Sequence, residues 1–119
     1  MSNESSAARR RALALIVIAE LFAMSLWFSG TAVLPQLGPR WQGSTQASWL
    51  TIAVQLGFAS GGLFSALLNL SDRIPPVRLF AICTLAAAAV NAGFALVADE
   101  ALTFALFLRA ATGFFLAGV

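Results

Sequence analysis

Four long apolar runs separated by short polar breaks organise this chain, and their lengths fix the expected elements. The runs cover roughly 12–34, 47–70, 79–98 and 102–119. A helix that crosses a bilayer needs about 20 mainly apolar residues, so the pattern predicts four membrane-spanning helices in an all-α, multi-pass bundle. The breaks are a polar stretch with Pro35, Gly38, Pro39 and Gly43, the turn from Ser71 to Arg78, and the short Ala98-Asp99-Glu100. Connections this short predict that consecutive helices are antiparallel neighbours. The first run is longer than the apolar stretch of about 7–15 residues in a secretory signal peptide and is followed by further runs. It therefore reads as a retained first helix.

Composition agrees with that plan. Of the 119 residues, 60% are hydrophobic and 10% charged, against roughly 25% charged in a soluble domain. A soluble core of this size cannot hide so much apolar surface, which makes the lipid bilayer the natural partner. All basic residues are arginine, and only Arg9-Arg10-Arg11 cluster, directly before an apolar run. That is a membrane-edge anchor, and no nucleic-acid partner is expected, because a nucleic-acid surface needs basic residues clustered on a folded face. Arg9, Arg10, Arg11, Arg73 and Arg78 fall on one side and Arg40 on the other. The positive-inside rule then places the N-terminus and the Asp72 turn in the cytoplasm. The domain plan is a cytoplasmic tail, 1–11, and a transmembrane domain, 12–119. Trp41 and Trp49 flank the far edge of the second span, where indoles favour the interface, although Trp49 suits a packing role equally. Cys83 has no intrachain partner and reads as a small packing residue.

Within the second span Ala53, Gly57, Gly61 and Ser65 recur every four residues, and in the third Ala81, Leu85, Ala89 and Gly93 do so. Small residues at that spacing let helix backbones approach closely, so both stripes predict helix contacts. Glu20 and Arg109 are the ionisable residues well inside the spans. A charge at a helix centre costs about 2.5–3.5 kcal/mol by insertion scales, and such groups face a cavity or a partner and mark function. At about 1.5 Å per residue, Glu20 lies about 12 Å from the inner edge and Arg109 about 10 Å from the outer one, within roughly 8 Å of a common height in a core about 30 Å thick. The two side chains are expected to come within reach if their helices are neighbours; helix glue is the competing role for Arg109. Met24, Trp27 and Thr31 share a face with Glu20, and Ala105, Thr112, Gly113 and Leu116 share one with Arg109. The first stripe reads as a cavity lining or as plain packing. Thr51, Gln55, Thr84 and Asn91 face a pore or bond between helices. No enzyme is expected: histidine is absent, so no histidine relay or histidine metal site exists, and Gly57-Phe58-Ala59-Ser60-Gly61-Gly62 lacks the lysine of a phosphate-binding loop. No metal or cofactor is expected.

Asp72, Arg73 and Arg78 resemble part of the loop between helices two and three in the major facilitator superfamily of secondary transporters, in its bacterial branch. That loop reads G-x-x-x-D-[RK]-x-G-x-[RK]-[RK]; here Leu68 and Pro75 stand at its glycine positions and Val77 at a basic one. Arg109-Ala110-Ala111-Thr112-Gly113 is similar to the family's fourth-helix R-x-x-x-G motif, and the stretch Ala19–Phe28 looks like its first helices. The resemblance implies that Glu20, Met24, Trp27, Thr31, Arg109 and Thr112 line a transport cavity, that Asp72, Arg73 and Arg78 form a cytoplasmic gate motif, and that Arg109 serves proton coupling or cavity electrostatics.

The expected function is alternating-access transport of a small solute, with a proton as the candidate coupling ion, in the bacterial inner membrane. Family members have twelve helices in two halves, so the chain is expected to be an N-terminal fragment, inactive in flux assays without its missing C-terminal helices. Two alternatives stand beside this. A small multidrug-resistance-like exporter also has four helices and a first-helix glutamate. A non-transporting membrane subunit would dock a partner on the small-residue face of helix two.

Overall fold

The computed structural model describes residues 2–41 and 43–119. The first residue of the expected tail and the Arg40 side chain, counted above on the outer edge, lie outside the described residues. The described residues are helical, with no strand among them. Helix α1 runs Ser2–Ala32, α2 Ser44–Leu68, α3 Leu70–Arg73, α4 Pro76–Val97 and α5 Leu102–Leu116. The expected tail is thus not separate: no proline or glycine interrupts residues 2–11, and they continue α1.

Local chemistry sets the helix ends. Pro35 disfavours helical backbone at the residue before it, and α1 gives way to two single 3-10 turns, Leu34–Gln36 and Pro39–Trp41. Helix α2 stops at Asn69, whose φ of 48° and ψ of 47° are left-handed and whose N–H bonds back to the Ala66 and Ser65 carbonyls. Asparagine takes that conformation more readily than most residues. The polar turn then forms the single turn α3, and Pro76 opens α4 at its first position, where its fixed φ suits a helix and its missing N–H costs nothing.

Helix α5 lies between α2 and α4, packing most extensively on α2, while α1 touches all three more thinly. Consecutive α4 and α5 pair as expected, but α2 and α4 do not: α5 lies between them, and α2 runs parallel to α5. The reason is the small-residue face of α2. A Cβ on Gly57 would meet the Ala110 backbone, one on Gly61 the Phe114 backbone, and one on Gly113 the Val54 carbonyl and the Phe58 nitrogen. Backbones that approach this closely gain dispersion contacts that lipid cannot supply. The α4 stripe does not behave the same way. Leu85 is 72% exposed and Ala81 and Ala89 are exposed, so this stripe faces outward. The packed face of α4 carries Ala87, Asn91 and Phe94, and buried Ala98 continues it just past the helix end.

Three helices are long and apolar enough to cross a membrane: Ser5–Gln36, which includes the first 3-10 turn, Thr45–Leu68 and Pro76–Val97. The fourth expected span forms a helix of 15 residues, Leu102–Leu116. At about 1.5 Å per residue that is about 22 Å, short of a hydrocarbon core of about 30 Å. Leu15, Leu21, Phe22, Leu67, Val77 and Leu96 are exposed, as apolar helices present themselves to lipid.

Trp41 is not an interfacial anchor. It is 2% exposed, in a cluster with Leu50, Phe94, Ala98 and Ala105, and its indole N–H donates to the Ala98 carbonyl at 2.7 Å. The Gly38 N–H donates to Asp99 Oδ1 at 2.8 Å. These two bonds clasp the α1–α2 connection to the α4–α5 turn. Trp49, by contrast, is 51% exposed.

Candidate functional site

Arg109 is the most distinctive side chain in the fold. It sits at mid-length of α5 and is fully buried. Its acceptors come from two other helices. Nη2 donates to the Trp27 carbonyl at 2.7 Å, and Nη1 to the Leu26 carbonyl at 3.2 Å, Ser29 Oγ at 3.4 Å and Asn91 Oδ1 at 3.0 Å. Ser29 Oγ also lies 3.0 Å from Asn91 Oδ1 as donor. The carbonyls lie six and five residues before the end of α1. The Phe94 ring lies 5.5 Å from Cζ, within cation–π range. Nε is buried without an acceptor among the described residues.

Gly30 makes the socket possible. A Cβ there would lie 2.8 Å from Nε and 2.9 Å from Cζ of Arg109, so any larger residue displaces the guanidinium. Phe94 in turn packs edge-on against Trp41, with centroids 6.4 Å apart. The buried cation and the Trp41 clasp therefore share one aromatic contact.

Arg109 does not meet its expected partner. Its acceptors on α1 begin at Leu26, about 9 Å along the axis from Glu20, and Glu20 makes no ion pair or hydrogen bond among the described residues. The guanidinium is served by the nearer carbonyls and Asn91 instead. Glu20, Met24, Trp27 and Thr31 are all half-buried, forming a partly open stripe along α1. Trp27 packs edge-on against Phe58 of α2, centroids 5.3 Å apart, and Thr31 bonds to the Phe28 carbonyl of its own helix at 2.9 Å.

Thr112 does not line an open cavity: it is fully buried and donates to the Leu108 carbonyl at 2.9 Å. Together with Ala105, Gly113 and Leu116 it forms the inward face of α5. Asp72, Arg73 and Arg78 are exposed at the other end of the bundle and form no ion pair among the described residues. Ala53, Gly57 and Gly61 are buried on the α5 seam, and Ser65 is half-buried.

No family model, curated protein or solved structure matches the chain. The site is therefore read from its own geometry. Sequence reasoning singled out Arg109 and Asn91 but not Ser29 or Gly30 as parts of one socket. A serine and a glycine side by side near a helix end are the signals that were available.

Proposed function

We propose that the chain is the membrane-embedded part of a secondary transporter of the major facilitator type, moving a small solute by alternating access. The observation that carries this reading is Arg109, a guanidinium sealed among three helices at a depth where charge is expensive and is retained for function. It fastens α1 to α4 and α5 and so holds the half-buried stripe Glu20, Met24, Trp27 and Thr31 in place. In the transporter that stripe, Glu20 included, faces the solute path. Asp72, Arg73 and Arg78 are the exposed gate residues. The small-residue face of α2, on which the interaction-subunit reading relied, is occupied by α5 of the same chain, so that reading lacks its docking surface.

Cysteine accessibility tests the proposal. In a Cys83→Ser background reconstituted in liposomes, Met24→Cys is expected to react with a water-soluble, membrane-impermeant thiol reagent. Leu21→Cys, on the exposed apolar face, is expected to stay unreactive because it meets lipid. Equal inertness at both positions would show that the stripe sees no water, and the transporter reading would fall.

A further inference from the structure

The start of α1 is left over once the bundle is assembled. From Ala12 to Ala32 the helix rises about 30 Å, the thickness of the hydrocarbon core. Arg9, Arg10 and Arg11 then occupy the first turn beyond that core, and Ser5 and Ser6 stand about 9–11 Å out, at the rim of a headgroup layer about 5–8 Å deep. The three arginines are exposed and make no ion pair among the described residues. Ser5, Ser6, Arg9, Arg10 and Leu13, all on α1, border a shallow, open cleft on the helix surface.

The order of chemistry along this cleft is specific. Ser5, Arg9 and Leu13 follow one another at offsets of four on one ridge, and Ser6 and Arg10 on the next. Hydroxyl, guanidinium and apolar side chain thus succeed each other toward the hydrocarbon. A free phosphate has no use for Leu13, which is 53% exposed; an amphiphile with an anionic head does. We propose that the Ser5–Leu13 face docks the headgroup of an acidic phospholipid, with the phosphate between Arg9 and Arg10 and the acyl chains leaving past Leu13. The proposal rests on α1 crossing the bilayer, which is part of the membrane reading above.

The test offers the full chain, in mild detergent, equimolar phosphatidylglycerol and phosphatidylcholine with identical acyl chains, and counts bound lipids by native mass spectrometry. Phosphatidylglycerol is expected to dominate. At about 1 kcal/mol per arginine, Arg9→Gln/Arg10→Gln is expected to lower its binding roughly 30-fold, while Arg73→Gln/Arg78→Gln keeps the preference. Parity of the two lipids overturns the proposal. So does an equal loss from the Arg73/Arg78 pair, which would spread the preference over the whole basic edge, or displacement by millimolar inorganic phosphate, which would mark a free-phosphate site. Alkaline carbonate extraction separates the two layers of the argument: release of the chain from membranes overturns the membrane reading as well, whereas retention with lipid parity overturns the lipid site alone.

Discussion

Gly57→Ala and Gly62→Ala make the same chemical change in the same helix, and the structure sends them in opposite directions. At Gly62 nothing lies within 4 Å of an added Cβ, so the variant gains helix propensity, about 0.8–1.0 kcal/mol. At Gly57 the added methyl meets the Ala110 carbonyl group and lies 2.9 Å from the Ala110 Cα. Those are backbone atoms, with no rotamer to yield, so α2 and α5 must part along the seam that Gly61 and Gly113 also maintain. Overpacking costs about 1–3 kcal/mol, and a rigid obstacle puts this case at the upper end. After the propensity gain, Gly57→Ala is expected to lose about 2 kcal/mol and to lie about 3 kcal/mol below Gly62→Ala. Reversible unfolding by SDS titration in mixed micelles, followed by circular dichroism, reads the difference. Coincident transitions for the two variants would refute the parallel glycine seam.

Three further substitutions are read by the same titration. Asn91→Leu removes one acceptor from Arg109 Nη1 but leaves Leu26 and Ser29; the expected loss is about 1 kcal/mol, since interhelical bonds in membranes average about 0.6 and reach about 1.7 kcal/mol, and a loss well above that range would show that Asn91 is the essential acceptor. Trp41→Phe keeps the ring but strands the Ala98 carbonyl, at an expected cost of about 1–3 kcal/mol; a neutral result would mean the clasp bond contributes nothing. Thr84→Val replaces a hydroxyl that is buried with no partner among the described residues and is expected to be neutral or stabilising by up to about 1 kcal/mol, whereas a clear loss would reveal a partner for the hydroxyl.

The long apolar runs, the polar breaks and the α2 glycine face were legible because each is a local property: run length, turn chemistry and a period of about four. Which helix that face would meet was not. Hydropathy ranks segments by composition, and α2 and α4 are both apolar, so nothing in the chain order says that α5 slides between them. The outward turn of the α4 stripe has the same cause. In lipid an alanine–leucine face is as comfortable against acyl chains as against a helix, and the Asn91–Phe94 face wins because only it offers Arg109 an acceptor and an aromatic ring. Trp41 was misjudged for a related reason: its position beside a span end suits an interface, but a carbonyl exposed at the α4–α5 turn captured its N–H. Arg109's partner was not legible either, because side-chain choice among nearby acceptors depends on helix rotation.

The attachment of α1 follows from the same competition between lipid and helix. Apolar contact gives a membrane helix little reason to prefer a neighbour to lipid, so fastening falls to polar groups and close packing. On α1 those fastenings are the Arg109 bonds to Leu26, Trp27 and Ser29, the Ser29–Asn91 bond and the Trp27–Phe58 contact. All lie toward the Trp41 end of the bundle, while Leu13, Leu15, Ile16, Val17 and Ile18 nearer the N-terminus are exposed. A helix pinned at one end and bare at the other is expected to hold its distance to α4 tightly at the pinned end and loosely at the other. Spin labels placed in a Cys83→Ser background on exposed positions test this by pulsed electron resonance. The pair Phe28→Cys/Leu96→Cys is expected to give a narrow distance distribution and Leu15→Cys/Val77→Cys a broad one. Equal widths would mean that α1 is held along its whole length, and that the Arg109 socket is one fastening among many instead of the main one.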